Sequence, residues 1–201
     1  MNAEQHTVLH GLYIKRYANA AVVAQITGLS PTKVRETLNA AVAQGKASAV
    51  SDRFTLTPIA RVAHLANCSR YFAELRGDAA FVASYETFEV INADLKTVIT
   101  DWQTRQIGGR VLPNDHSDAS YDDAIIDRLG GVHEKAEKVL RALATALPRL
   151  GVYLDRLEIA LEKAETGESD WVSDVKIDSY HTVWFELHED LLCILGRQRQ
   201  E

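Results

Sequence analysis

The stretch that decides the fold is residues 20–44, AAVVAQITGLSPTKVRETLNAAVAQ, which predicts two helices joined by a tight turn. Gly28 ends the first helix, because a residue just past a helix end often takes a positive φ that glycine adopts without a clash. Ser30 is placed to cap the second helix, and Pro31 suits its first position, where no backbone N–H is needed. One face of the second helix is apolar and turns towards a core. Its residues recur every four positions: Val34, Leu38 and Val42.

The opposite face of the second helix carries cations, hydroxyls and amides. Cations bind phosphates, and hydroxyl and amide groups bind base edges, so this face suits a recognition helix that enters a DNA groove. Residues 47–50 and 53–56 follow as two β-prone runs around a Ser51-Asp52 turn, and a basic residue begins the second run. The candidate DNA-binding residues are Thr32, Lys33, Arg35, Thr37, Asn39 and Arg53.

Residues 5–76 resemble the winged helix-turn-helix domain of MarR-type transcription regulators. A leading helix at residues 6–17, the segment GLSPTKVRETLNAAVAQG, the hairpin that would be the wing, and TLTPIARVAHL carry the resemblance in that order. The sequence departs from the family pattern at two points. SDR matches the family's Asp-x-Arg at the wing tip only loosely, and PIA stands where the family usually has a glycine. The resemblance implies binding to double-stranded DNA. A homodimer is expected because one recognition helix reads too few base pairs for useful specificity.

The two signs of charge are segregated along the chain, although the net charge is −6. Residues 1–77 hold nine Lys and Arg against four Asp and Glu, whereas residues 78–201 hold 13 against 24. Such asymmetry is typical of a nucleic-acid-facing part joined to a part with another role. The alternative is that the basic excess is spread over a solvated surface.

The bulk composition excludes several classes. The chain of 201 residues, 46% of them apolar, is long enough for one large core or two small ones. No run of about 18 uncharged apolar residues is present, and MNAEQHTVLH lacks the regions of a signal peptide, so we expect no membrane helix and a cytoplasmic location. Cys68 and Cys193 lie in apolar helical patterns and are interpreted as buried thiols in a reducing compartment, with a redox pair as the alternative.

A second organising element is a long helix predicted at residues 79–105. The residues of its seam are spaced alternately by four and three positions: Phe81, Tyr85, Phe88, Asn92, Leu95, Ile99 and Trp102. Such a seam is common in the core helix of a bundle. Two alternatives are a dimer interface in which Asn92 fixes the register, and a ligand pocket with Asn92 and Trp102 on its wall.

Two segments rich in polar residues, a loop and the final helix, remain in the second half of the sequence. Residues 106–119, QIGGRVLPNDHSDA, are predicted to form a loop. Asp118 or Ser120 is predicted to cap the next helix rather than to bind a ligand or metal.

A final helix is predicted at residues 179–195. His188 lies about 10 Å beyond His181 along its axis, so both imidazoles cannot bind one ion. No HExxH motif accompanies these histidines, and we predict no metal and no cofactor. The candidate effector pocket is formed by Asn92, Trp102, His116, Tyr180, His181, Trp184 and His188.

Residues of about 90–195 weakly resemble a helical region of phosphoenolpyruvate-utilising, pyruvate phosphate dikinase-like proteins. The phrases DWQTR, PNDHSDASYDDAIIDRL and DSYHTVWFELHEDLL carry the resemblance. The sequence contains no phospho-accepting histidine segment of that kind and no GxSxG, Walker or GxGxxG motif, so we predict that the protein is not an enzyme. The resemblance implies, as an alternative function, a non-catalytic regulatory or protein-interaction module associated with such enzymes.

Together these observations predict a mainly α protein with two parts. Residues 1–77 form a winged helix-turn-helix DNA-binding domain with a small β-hairpin wing, and residues 78–201 form an acidic all-α bundle for dimerisation and effector binding. The predicted function is that of a sequence-specific, effector-responsive transcription regulator.

Overall fold

The structure is a computed structural model that describes residues 2–198, and within them the chain is mainly helical with two small antiparallel hairpins. The elements in chain order are α1 (Ala3–Lys15), α2 (Ala20–Thr27), α3 (Pro31–Ala43), β1 (Ala47–Val50), β2 (Arg53–Leu56), α4 (Pro58–Tyr71), α5 (Ala73–Gly77), α6 (Ala79–Gln103), β3 (Thr104–Ile107), β4 (Arg110–Pro113), α7 (Ala119–Ala146), α8 (Gly151–Glu165), α9 (Asp170–Ser173) and α10 (Tyr180–Leu195). None of the helices described is long and apolar enough to cross a bilayer.

The chain forms two compact units. The first unit combines the residues up to Val82 with those from Glu186 onward, and the second contains Ala83–Phe185. The end of α10 therefore belongs to the same unit as α1, although nearly the whole chain separates the two in sequence.

The turn between α2 and α3 has the predicted structure. Gly28 adopts φ 70°, the left-handed conformation expected of a residue that follows a helix. Ser30 caps α3 by accepting a hydrogen bond from the Lys33 amide at 3.3 Å, and Pro31 is the first residue of that helix. The predicted bounds of α2 and of both strands are confirmed, and α3 ends one residue earlier than predicted.

The first hairpin adds a β layer to this helical core. β1 and β2 pair antiparallel around the Ser51-Asp52 turn, with Ala47 opposite Leu56. Ala18, between α1 and α2, extends the layer through backbone hydrogen bonds with Phe54 at 3.1 and 2.8 Å. Phe54 and Leu56 point inward and are buried, so the hairpin is fixed to the core.

The helix α4 has the reverse of the amphipathic arrangement expected from its apolar residues. Ile59 and Val62 are 84% and 71% exposed, whereas His64 and Cys68 are buried. Hydrophobicity alone predicts that Ile59 and Val62 face the core, and for these two residues that prediction is wrong. The polar residues face inward because they pack against other histidine and cysteine side chains of the first unit.

The second unit departs from the predicted all-α bundle at one point. Residues 104–113, assigned partly to a loop, form the antiparallel hairpin β3–β4 around Gly108 and Gly109, which both have positive φ. Two-glycine turns between strands are a recognised hairpin signal that the loop assignment overlooked. The next helix, α7, runs without interruption through Gly130 and Gly131, and Asp118 caps it as predicted by accepting a hydrogen bond from the Tyr121 amide at 3.1 Å.

The long helix α6 is a core helix of the second unit. The seam residues from Tyr85 to Trp102 are at most 5% exposed. Within this unit Phe88 stacks on Trp184 at 4.8 Å, and Asn92 accepts a hydrogen bond from the Trp184 indole at 3.0 Å. The bundle-core interpretation is therefore confirmed for these residues, and this seam is not exposed for contact with a second molecule.

Candidate functional site

The outward face of α3 carries the predicted DNA-binding cations in exposed positions. The Lys33 and Arg35 side chains are each 48% exposed, and Thr32 and Asn39 are also exposed. Thr37 is half-buried, and its hydroxyl donates to the Lys33 carbonyl oxygen at 3.0 Å, so this hydroxyl is already used within the helix. Five of the six candidate residues, including Arg53 on the hairpin, remain accessible to a ligand.

Each cation of α3 already has an acidic neighbour. Arg35 Nη1 lies 2.6 Å from Asp52 Oδ1 in the β1–β2 turn, and Lys33 Nζ lies 3.4 Å from Glu4 Oε1. The hydrogen bond between Arg35 and Asp52 raises the pKa of Arg35 and lowers that of Asp52. Both ion pairs are solvent-exposed, and exposed pairs are weak enough to be exchanged for phosphate contacts.

Arg53 occupies the hairpin next to this helix. It begins β2, directly after the turn, and its guanidinium lies over the Tyr17 ring at 5.4 Å from the centroid. Tyr17 is itself 46% exposed, so the stacked pair forms a flat cationic surface open to solvent. The basic residues of α3 and the hairpin thus belong to one unit and are all exposed.

A second cluster, which we call the His–Cys cluster, lies buried in the same unit and contains His10, His64, Cys68 and Cys193. One potential ligand atom from each residue lies within 4.8 Å of those of the other three. His10 Nδ1 is 3.1 Å from His64 Nε2, and Cys68 Sγ is 3.4 Å from His64 Nε2 and 3.1 Å from Cys193 Sγ. The fourth edge, from Cys193 Sγ to His10 Nδ1, is 3.9 Å.

Further side chains surround the His–Cys cluster. Asp190 Oδ1 lies 2.7 Å from His10 Nε2 and is fully buried. His6 stacks on the Tyr71 ring at 3.9 Å and brings its Nε2 to 3.9 Å from Cys68 Sγ. The carboxylate of Asp190 therefore fixes the orientation of the His10 ring, since only a protonated Nε2 can donate to it.

The protonation of the His–Cys cluster follows from its burial and its internal hydrogen bonds. The hydrogen bond from the Cys193 thiol lowers the pKa of Cys68, burial opposes this shift, and the contacts of Cys68 with the histidine rings add to it. The same Cys193–Cys68 bond raises the pKa of Cys193, and burial adds to that shift. Burial lowers the pKa of His64, which favours its neutral form.

A cavity of about 490 Å³ adjoins the His–Cys cluster within the first unit. Its lining includes Cys193, together with the polar groups of Tyr13, Arg76, Glu189 and Arg197. Cavities of this size commonly hold small ligands. Cys193 therefore belongs both to the cluster and to the wall of this cavity.

Three of the predicted effector-pocket residues form part of the core of the second unit. Asn92, Tyr180 and Trp184 pack against one another in the second unit and are nearly fully buried. His188, by contrast, belongs to the first unit and is 4% exposed. The half-buried His181 lies at the start of α10. None of the seven residues lines the 490 Å³ cavity.

The remaining pair of that set, Trp102 and His116, belongs to an anchoring network in the second unit. The two rings lie 4.5 Å apart, and His116 Nδ1 is 2.9 Å from Asp122 Oδ2. Asn114 donates to the Trp102 carbonyl oxygen at 3.0 Å and to Asp122 Oδ1 at 2.8 Å. These bonds tie the segment after β4 to α7, which gives His116 a structural role.

The sequence analysis missed the His–Cys cluster, although two local signals were present. His6 and His10 are four residues apart on α1, and His64 and Cys68 have the same spacing on α4, so each pair lies on one helix face. The fourth member, Cys193, comes from the other end of the chain. No single-segment motif contains all the members, and the approach of α10 to α1 and α4 was needed to find them.

A comparison of this chain with protein-family models, curated proteins and solved structures found no match. The resemblances to MarR-type regulators and to phosphoenolpyruvate-utilising proteins therefore stay predictions.

Proposed function

We propose that the protein is a sequence-specific DNA-binding transcription regulator whose first unit is a winged helix-turn-helix domain. The observation that carries the proposal is that Lys33 and Arg35 are exposed on the outward face of α3, in the same unit as the exposed Arg53 of the β1–β2 hairpin. In such a domain α3 enters the major groove, and the hairpin contacts the adjacent backbone or minor groove. The cytoplasmic location predicted from the sequence is part of the same proposal.

The residues have distinct roles in this arrangement. Lys33, Arg35 and Arg53 neutralise phosphates, which supplies affinity that depends on salt but not on sequence. Thr32 and Asn39 carry the hydroxyl and amide groups that distinguish base edges. Thr37 is the weakest of the predicted contacts, because its hydroxyl is already bonded within α3.

Two copies of the chain are required for this function, since one recognition helix reads too few base pairs. The exposed apolar face of α4, formed by Ile59, Val62 and Ala66, supports a second copy as its partner. A symmetric dimer brings the same patch of both molecules together, and an apolar helix face is complementary to itself. Residues 78–201 were predicted to dimerise, but the seam of α6 from Tyr85 to Trp102 is buried in the core of the second unit.

The dimer is tested by placing a charge on this face. We expect Val62→Asp to convert the dimer to a monomer in sedimentation velocity, because the carboxylate would lose its solvation at the apolar contact. Ile159→Asp is the matched control, since Ile159 is 49% exposed on α8 of the second unit and should leave the dimer intact. A wild-type chain that sediments as a monomer at all accessible concentrations contradicts the dimer.

A further prediction concerns the acid that pairs with Arg35. We expect Asp52→Asn to tighten binding to a mixed-sequence duplex by roughly 3- to 10-fold at low salt, because it frees the guanidinium and removes a charge that repels phosphate. Fluorescence anisotropy measures this change. Asp101→Asn is the control, because it ends a similar exposed pair with Arg128 in the second unit. Weaker binding by the Asp52 variant shows that the Arg35–Asp52 pair organises the surface instead of competing with DNA.

A further inference from the structure

We propose that His10, His64, Cys68 and Cys193 form a tetrahedral binding site for one divalent zinc ion inside the first unit. The four residues combine two imidazoles and two thiols, a ligand set that zinc uses in closed structural sites. No metal was predicted from the sequence, so this site departs from the sequence analysis.

The spacing of the ligand atoms fits such an ion. Zn–S bonds of about 2.3 Å and Zn–N bonds of about 2.0 Å place tetrahedral ligand atoms roughly 3.3–3.8 Å apart. Four of the six separations between the ligand atoms run from 3.1 to 3.9 Å, and all six are within 4.8 Å. The two sulfur atoms, at 3.1 Å, are too far apart for a disulfide of about 2.05 Å. Small adjustments of the two thiols would complete the tetrahedron.

The groups around the His–Cys cluster are those of a metal site. The bond between His10 Nε2 and Asp190 leaves His10 Nδ1 with its lone pair directed at the cluster, and such a carboxylate–histidine pair commonly supports zinc ligands. His64 presents Nε2 to the cluster, while its Nδ1 is buried and has no hydrogen-bond partner among the described residues. His64 therefore faces the cluster through Nε2, which is the nitrogen available to a metal.

Charge provides an independent reason for a cation. Asp190 is fully buried and Cys68 is 1% exposed, so a carboxylate and a thiol share an interior with the imidazole rings of the cluster. Burying a carboxylate is costly unless a positive group compensates for it. A Zn²⁺ ion would neutralise the two thiolates, and by polarising the His10 ring it would make Nε2–H a stronger donor to Asp190.

The ion would join three distant parts of the chain. Its ligands come from α1, from α4 and from α10, and Cys68 and Cys193 are 125 residues apart. A metal that links such separate segments stabilises the folded state, because the preformed site does not exist in the unfolded chain. The metal site does not depend on whether the first unit binds DNA.

Metal analysis and cobalt substitution of the full chain test the site. The protein purified under reducing conditions should contain one zinc per chain, as measured by inductively coupled plasma mass spectrometry. The reduced apoprotein should take up one Co²⁺, with the visible absorption of tetrahedral cobalt and a sulfur-to-cobalt charge-transfer band. We expect chelation to lower the melting temperature by at least about 10 °C. A reduced apoprotein that takes up neither metal, or a purified chain with a Cys68–Cys193 disulfide and no zinc, overturns the site.

Variants separate the ligands from their surroundings. Cys193→Ser should lose most of the charge-transfer band, and His64→Ala should lower the affinity for Co²⁺ at least 100-fold. His133→Ala is the control, because His133 is a half-buried histidine of the second unit and should bind cobalt normally. Unchanged cobalt spectra and affinity in both cluster variants contradict the ligand assignment.

Asp190 is a positioning residue in this arrangement, and it keeps the proposal testable if a ligand variant fails to fold. Asp190→Asn preserves all four ligands and should bind Co²⁺ with the same spectrum but about 10- to 100-fold more weakly. A chelator competition measures the affinity. An affinity equal to that of the wild type shows that Asp190 does not support a metal ligand.

Discussion

Replacement of both Lys33 and Arg35 by alanine is expected to weaken binding to a mixed-sequence duplex by at least about 100-fold at low salt. Each cation neutralises about one phosphate, so the slope of log affinity against log salt should fall by about two. Both side chains are 48% exposed and neither is part of the core, so the variant should fold normally. Fluorescence anisotropy over a range of salt concentrations gives both quantities.

The matched control removes two exposed cations from the second unit. Lys135 and Arg141 have side chains that are 60% and 67% exposed, and each also pairs with an acidic neighbour. The Lys135→Ala, Arg141→Ala variant should bind DNA within about twofold of the wild type, because only charges that contact phosphates enter the salt slope. Equal losses in the two double variants would mean that general charge, not the face of α3, governs binding.

Lys15→Met is expected to destabilise the first unit by about 3–5 kcal/mol. The Lys15 ammonium lies 2.7 Å from Glu186 Oε1, and the two side chains are 7% and 11% exposed. Removing the ammonium takes a buried cationic partner away from the Glu186 carboxylate, which costs far more than the loss of an exposed pair. Urea unfolding, with hydrogen exchange of the α1 amides to identify the unit that unfolds, measures the effect.

Two further variants establish that this cost comes from the buried charge. The Lys15→Met, Glu186→Met double variant should recover most of the lost stability, since apolar side chains of similar volume replace buried pairs well. Lys33→Met, which removes the exposed pair with Glu4, should change stability by less than about 1 kcal/mol. If Lys15→Met is as mild as Lys33→Met, the pairing of α1 with the end of α10 is not what stabilises the first unit.

Local chemistry explains why the sequence predicted some elements well. Gly28, Ser30 and Pro31 act through backbone conformation and neighbouring amides, so their effect does not depend on the rest of the fold. The same holds for Asp118 at the start of α7. The β3–β4 hairpin was predictable in principle from Gly108-Gly109, and was missed because the polar residues that follow dominated the interpretation of that segment.

The errors on α4 have a non-local cause. Hydrophobicity alone placed Ile59 and Val62 in the core, but the space beside α4 is occupied by the histidines of α1 and by Cys193 of α10. His64 and Cys68 turn inward because partners for them exist only there. The sequence carries no direct record of which distant helix approaches α4, so neither its orientation nor the His–Cys cluster followed from periodicity.

Selection of bound duplexes from a random-sequence DNA library tests the central claim most directly. We expect the wild-type chain to enrich one motif with two-fold symmetry, whose half-sites are centred about 10 base pairs apart, as two recognition helices in successive major grooves require. The Lys33→Ala, Arg35→Ala variant should enrich nothing under the same conditions. A wild-type chain that retains no DNA at low salt, or whose retained pool keeps the composition of the starting library, contradicts a role as a sequence-specific regulator.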